Sequence, residues 1–196
     1  MVLSTAYFGP ISYYAALYHT DEVIIEAHEH YVKQTFRNRC TIATDQGPLN
    51  LTAYVEKGNQ LKMPITTMRI SGHNDWQLQH LHALATYYGH SPFYEYYIDN
   101  LREVFLRGHD GTLFGMNEAL RKHLCAEIGF DPCVQYSTEW MGPQPPLHAL
   151  EDMKPYYQVA GISGRQPFLP NMSILDLLFN MGPESLLVLD QLWNRN

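Results

Sequence analysis

The chain has 196 residues, 45% apolar and 17% charged, with a formal charge of −7 when the histidines are neutral. That length suits a single domain spanning 1–196, because one core serves up to roughly 250 residues, and the apolar content excludes a disordered chain. The acidic balance, with no run of Lys or Arg, argues against a nucleic-acid partner. No apolar stretch approaches the roughly 18 residues of a spanning helix, so no membrane insertion is expected.

In chain order, Thr5–Phe8 is predicted as a short strand that breaks at Gly9-Pro10. Ile11–Tyr18 follows as a helix with proline in its first turn, and Glu22–Ala27 as a β-branched strand. A strand–helix–strand opening is the usual start of a parallel pair. Arg39–Thr44 and Leu49–Val55 flank Asp45-Gln-Gly-Pro48 and predict a hairpin; Ile65–Ile70 reads as a further strand. Asn74 and Gln77 fit a loose capping box for a helix whose face carries Trp76, His80, Ala83, Leu84 and Tyr87, ending at Gly89. Ser91-Pro92 opens the next helix, with a stripe of Phe93, Tyr97, Leu101, Val104 and Phe105. Thr112–Ile128 repeats the pattern through Leu113, Asn117, Leu120, Leu124 and Ile128, and stops at Gly129. Cys133–Thr138 reads as a short strand, and Met141–Pro155 and Ala160–Pro170 as loops. Ser173-Ile-Leu-Asp176 is a capping box for a helix, which Gly182-Pro183-Glu184 separates from a last one. The fold class predicted is α/β, a mixed sheet covered by helices from the middle and C-terminal parts.

Three cysteines cannot all pair within one chain, and their spacing fits no zinc site. The first ten residues lack a basic n-region and an apolar stretch, so a cytoplasmic location with reduced thiols is expected. The unusual counts are 14 Tyr and 10 His, side chains suited to a core that borders a polar cleft.

The densest polar region is 26–39. If the strand continues, Glu26, His28 and His30 share a side, which suits a divalent metal, an acid/base wall or plain solvent exposure. Lys33, Arg37 and Arg39 are three cations within seven residues, fitted to phosphate or carboxylate, or else to ion pairs with Glu26, Glu29 or Asp21. Asn38 adds donor and acceptor capacity. His80 lies on an apolar helix face, as a core residue or a base. Asn117 is a polar residue in an apolar stripe, so its amide bonds backbone or ligand. Asp176 is explained by its capping box. No G-x-S-x-G, Walker or G-x-G-x-x-G motif occurs, and no cofactor is expected. Cys40 follows Arg39, but a buried strand thiol accounts for it.

Several segments resemble one family. Tyr7-Phe-Gly-Pro-Ile-Ser-Tyr-Tyr14 is similar to an opening Y-F-x-P-x-x-Y-F pattern. Glu26, Tyr31, Lys33, Asn38 and Arg39 fall on an acidic residue, Y-x-K and N-R. Trp76-x-x-x-His80, Ala85-Thr-Tyr-Tyr88 and Ser91-Pro-Phe93 fit a central helix pair, and Asn171-x-Ser-Ile-Leu-Asp-Leu-Leu-Phe-Asn180 a terminal motif. On these segments the chain resembles the WbqC-like proteins over nearly its whole length, with Phe36 departing from the family's Trp or Tyr.

The resemblance implies a place in bacterial O-antigen or other surface-polysaccharide assembly. It brings no established catalytic residues; the motif positions Tyr7, Pro10, Glu26, Tyr31, Lys33, Asn38, Arg39, His80, Ser173 and Asp176 enter as candidates. The expected function is a transferase acting on an activated sugar or sugar-linked intermediate. His80 or Glu26 would be the base, and Tyr7, Pro10, His28, Tyr31, Lys33, Arg37, Asn38 and Arg39 would hold a nucleotide sugar or amino sugar. The alternative is a non-catalytic sugar- or nucleotide-binding protein using the same pocket. A pocket joining His80 to Glu26 and Lys33 favours the enzyme, and scattered groups favour the binder. Oligomeric state is open.

Overall fold

A computed structural model of the chain describes residues 1–56, 62–143, 153–162 and 167–193. β1 (Val2–Ser4), β2 (Val23–Glu26) and β5 (Val134–Tyr136) form a parallel sheet in the order β1-β2-β5. α1 (Ile11–His19) joins β1 to β2, giving the strand–helix–strand start. The register sets Ser4 opposite Glu26 and Ile25 opposite Tyr136. All three carboxyl ends therefore open on one edge.

A separate antiparallel hairpin pairs β3 (Arg39–Thr44) with β4 (Gly47–Thr52). Thr44 faces Gly47, leaving Asp45 and Gln46 as the turn, and Gly47 takes the left-handed conformation (φ 109°). Pro48 lies inside β4, tolerated because among the described residues no strand pairs with its far edge. The sheets are covered by α2 (Trp76–Tyr88), α3 (Tyr94–Arg107), α4 (Leu113–Ile128), one turn of α5 (Val159–Ile162), α6 (Ile174–Met181) and α7 (Ser185–Trp193). This is the mixed α/β architecture expected. Among the described residues no helix is long and apolar enough to cross a membrane.

Several local expectations change. Thr5–Phe8 is fully buried but is not a strand: β1 stops at Ser4, and Phe8 turns through φ 42°. A bulky residue tolerates that conformation only where its surroundings impose it. Here Ser173 Oγ donates to the Phe8 carbonyl (2.9 Å) and the Ile174 N–H to the Gly9 carbonyl (2.9 Å). Gly9 is required by close approach, since a Cβ there would lie 3.0 Å from that of Ala6. Pro10 is the cap residue of α1, and the free N–H groups of Ile11 and Ser12 are met by the Met172 carbonyl and the Asn171 side chain.

Ile65–Ile70 is a 3-10 turn (Ile65–Thr67), and Arg69 and Ile70 then bridge singly to Thr112 and Val55. Asn74 and Asp75 are both left-handed and neither caps α2 with its side chain; Gln77 donates to the Phe105 carbonyl instead. The buried face of α2 is Trp76, His80, Leu81, Leu84 and Tyr88, rotated slightly from the predicted stripe. α3 begins at Tyr94, because Ser91 bonds Asn180 rather than capping. By contrast, Thr112 caps α4 through the Gly115 N–H and Gly129 ends it at φ 99°, as predicted. Of the predicted loops, 144–152 and 163–166 lie outside the described residues, and Ala160–Pro170 opens inside α5.

Candidate functional site

A cleft of about 790 Å³ opens between the segment after β2 and the outer end of the hairpin. Its buried floor includes Asn38, Ala53 and Met68, and its exposed rim carries Lys33, Gln34, Tyr54 and Glu56. Tyr31 and Met63 line the cleft as well. Three backbone connections shape it. The Tyr31 N–H donates to the Met63 carbonyl, the Ala53 N–H to the Asn38 carbonyl, and Gln34 makes a left-handed turn (φ 58°) at the mouth. Asn38 Nδ2 donates to the Ala53 carbonyl (3.2 Å). Burial raises the Tyr31 phenol above its ordinary value, so it stays a neutral donor. Among the described residues neither Lys33 nor Arg39 enters an ion pair.

The structure therefore brings Tyr31, Lys33, Asn38 and Arg39 around one concavity and sends the other candidates elsewhere. Arg37, the residue before cleft-lining Asn38, points the other way and pairs with buried Glu29. Glu26 is 0% exposed and sits at the end of β2. Its carboxylate accepts from Ser137 Oγ (2.6 Å) and from the N–H groups of His28 and Met141 (both 2.7 Å). Burial opposes its ionisation, but these three donors outweigh it and hold the carboxyl below its usual range. His28 and His30 are exposed. Among the described residues no group of three His, Cys, Asp or Glu side chains could hold a metal ion. Tyr7 and Pro10 are buried in the core, outside the cleft lining.

His80 is 6% exposed, and its Nδ1 shares a 2.7 Å hydrogen bond with Tyr7 Oη. Trp76 meets its ring edge-on. It does not line the cleft. Burial lowers the imidazole from 6.5 to about 4. Below pH 6.5 the unfolded chain takes up a proton that the folded chain refuses until about 4. The stability owed to this group is therefore full above pH 6.5 and is lost as pH falls through 4, by up to about 3 kcal/mol. His80→Gln is expected to flatten that decline, read from urea melts at pH 7 and pH 4.5. An undiminished acid loss in the variant would assign the decline to other groups.

A second polar group fills the carboxyl ends of the parallel strands; periodicity along the sequence singled out its Asn117 but not its Glu118 and Arg121. Glu118 and Arg121 of α4 form a buried ion pair (2.9 Å). Thr5 Oγ1 and Tyr136 Oη donate to the same carboxylate (3.4 and 3.2 Å). Ser4 Oγ donates to Glu29 Oε2 (2.9 Å), and Asn117 Nδ2 to the Arg37 carbonyl (2.8 Å). One signal was available: Glu118, Arg121 and Cys125 follow at helical spacing beside the apolar stripe of α4, and all three are buried.

Residues 5–145 match the model of the WbqC-like protein family. The chain is also 26% identical over 220 residues to the uncharacterized protein Rv1507c of Mycobacterium tuberculosis, with 94% of each chain covered. No solved structure matches it.

Proposed function

The chain belongs to the WbqC-like protein family, and from that premise we propose that it binds a phosphate-activated sugar in its cleft, as one unit of bacterial surface-polysaccharide assembly. One observation carries this reading: Lys33 and Arg39, cations without an ion pair among the described residues, line the same concavity in a chain of net charge −7. Guanidinium and ammonium groups suit a diphosphate, the first as a planar fork and the second as a point charge. Tyr31 and Tyr54 offer ring faces and hydroxyls to a sugar or base. The left-handed Gln34 at the mouth is a backbone outlier of the kind that collects at ligand clamps.

Binding leads over catalysis because His80 and Glu26, the expected bases, are engaged away from the cleft. The transferase reading draws support from one feature. The charged group at the strand carboxyl ends stands where ligands of open α/β sheets commonly sit, and one of its members, Arg37, immediately precedes the cleft residues Asn38 and Arg39.

The test is a thermal-shift and calorimetric screen of nucleotide hexoses against the matching free hexoses. A bound nucleotide sugar at a hundred times its Kd stabilises by about 2.7 kcal/mol. The double variant Lys33→Ala/Arg39→Ala is expected to melt like the parent and to bind about 10–100-fold more weakly, the loss of two charge-assisted contacts. Unchanged affinity in that variant, or no nucleotide sugar that shifts the melt, would end the proposal. Turnover of a bound nucleotide sugar with an acceptor present would favour the transferase.

A further inference from the structure

A second cavity, of about 620 Å³, adjoins the cleft, and Val55 and Glu56 line both. Ser71, Gly72 and His73 form its other wall. Backbone pairing beyond β4 ties the two walls together. The Ser71 N–H donates to the Tyr54 carbonyl (2.8 Å), the Glu56 N–H to the Arg69 carbonyl (3.0 Å), and Val55 bridges to Ile70. Ser71 is fixed further, because its carbonyl accepts from Trp76 Nε1 (2.7 Å) and its hydroxyl from the His73 N–H (3.2 Å). After His73 the chain turns through two successive left-handed residues, Asn74 (φ 66°) and Asp75 (φ 45°). Such conformations persist only where the surroundings impose them, and they gather at ligand clamps. With Gln34, three of the five described non-glycine residues of positive φ belong to the lining segments or directly follow them.

The two cavities differ in chemistry. The first carries Lys33 and Arg39 together with the rings of Tyr31 and Tyr54. The second has no Lys or Arg among its described lining residues, and offers the Glu56 carboxylate and the His73 imidazole. Both side chains are exposed, and among the described residues neither enters an ion pair. A carboxylate repels phosphate and accepts from hydroxyls; a neutral imidazole donates at one ring nitrogen and accepts at the other. The hydroxyls of a sugar ring are donors and acceptors side by side, and they match this pair. A planar base matches the tyrosine rings of the first cavity instead. Each cavity is of the size that takes a small ligand.

We propose that the second cavity is the sugar subsite, where Glu56 and His73 hydrogen-bond the hydroxyls of a neutral hexose and select it. The inference rests on the reading of the cleft as a site for a phosphate-activated sugar, and it deepens that reading by giving the ligand a direction. The diphosphate meets Lys33 and Arg39, the nucleoside lies against Tyr31 and Tyr54, and the hexose passes Glu56, whose charge keeps the phosphates from following.

The experiment is calorimetry on the whole chain with UDP-, GDP- and dTDP-hexoses. Each is set against the methyl ester of its own nucleoside diphosphate, which has the same charge and no sugar. At least one nucleotide hexose is expected to bind about tenfold or more tightly than its ester, the scale of one charge-assisted contact. Glu56→Ala and His73→Ala change exposed side chains, so both should melt like the parent. Each is expected to weaken that hexose about tenfold and to leave its ester within about twofold. Lys33→Ala/Arg39→Ala should weaken hexose and ester alike. Three results would overturn the sugar subsite while the cleft reading stands: esters that bind as well as the hexoses, an equal loss of ester and hexose in Glu56→Ala, or hexose affinity unchanged in both single variants. Failure of every ester and every hexose to bind would end both.

Discussion

Asp176→Ala is expected to lower stability by about 3–6 kcal/mol, because it leaves three buried donors without an acceptor at about 1–3 kcal/mol each, less some relaxation. The capping box predicted for this residue does not form. Ser173 does cap α6, accepting from the Leu175 N–H (3.3 Å), but its own N–H donates to the Thr41 carbonyl (2.7 Å), so nothing at the cap needs the Asp176 carboxylate. That carboxylate is 0% exposed and points inward. It accepts from Tyr88 Oη (2.9 Å), Gln158 Nε2 (2.7 Å) and Tyr156 Oη. It thereby fastens α2, α6 and the 156–158 segment, and Gln158 passes the connection to Leu169 through both ends of its amide. For a chain of this size each kcal/mol moves the melt by about 2–4 °C, so a drop of about 6–24 °C is expected by circular dichroism. A melt within about 2 °C of the parent would refute this role.

The same residue has a pH signature. Burial raises the Asp176 carboxyl above 3.8, and its three donors offset this only in part. A raised folded value means that the stability the group contributes is full below pH 3.8 and is lost as pH rises through the folded value. This is opposite in sign to His80, so acid loosens one group while favouring the other. Asp176→Asn should remove the dependence.

The second large effect concerns α4. Arg121→Met is expected to cost about 3–5 kcal/mol, because it strands the Glu118 charge in the interior. The guanidinium is lowered by burial, but Glu118 beside it more than compensates and holds it above its ordinary range. With Arg121 gone, Thr5 and Tyr136 alone face the carboxylate. The double variant Glu118→Gln/Arg121→Met should recover most of the loss, since a neutral, similarly shaped replacement removes both the charge and its desolvation. Urea melts of the two singles and the double give the coupling directly. A single-variant cost under about 1 kcal/mol would place the pair with the weak surface ion pairs.

Residues that act through their sequence neighbours were readable in advance. Thr112 at the start of α4, Gly129 at its end, the breakers between β3 and β4, and the β-branched run Val23–Ile25 all act within a few positions. Their outcome depends on backbone propensity and caps that any chain would feel locally. The alternating and helical patterns accordingly predict the α/β class and most of its elements. The density of polar residues over 26–39 picks out the stretch from which Lys33, Gln34, Asn38 and Arg39 line the cleft.

Only the tertiary structure decided how that stretch divides. Arg37 and Arg39 are two residues apart, yet one meets Glu29 and the other opens on the cleft, a choice set by Ser4 at the end of β1 and Ala53 after β4. Thr5–Phe8 is apolar enough for a strand, but Ser173, 165 residues beyond Phe8, holds that residue's carbonyl in a turn. Asp176 could satisfy its own cap or reach Tyr88, and it reaches Tyr88 because Thr41 takes the Ser173 N–H first. In each case more than one local arrangement is open to the residue. A partner far along the chain breaks the tie, since a buried polar group must be paired by whatever the fold brings near it.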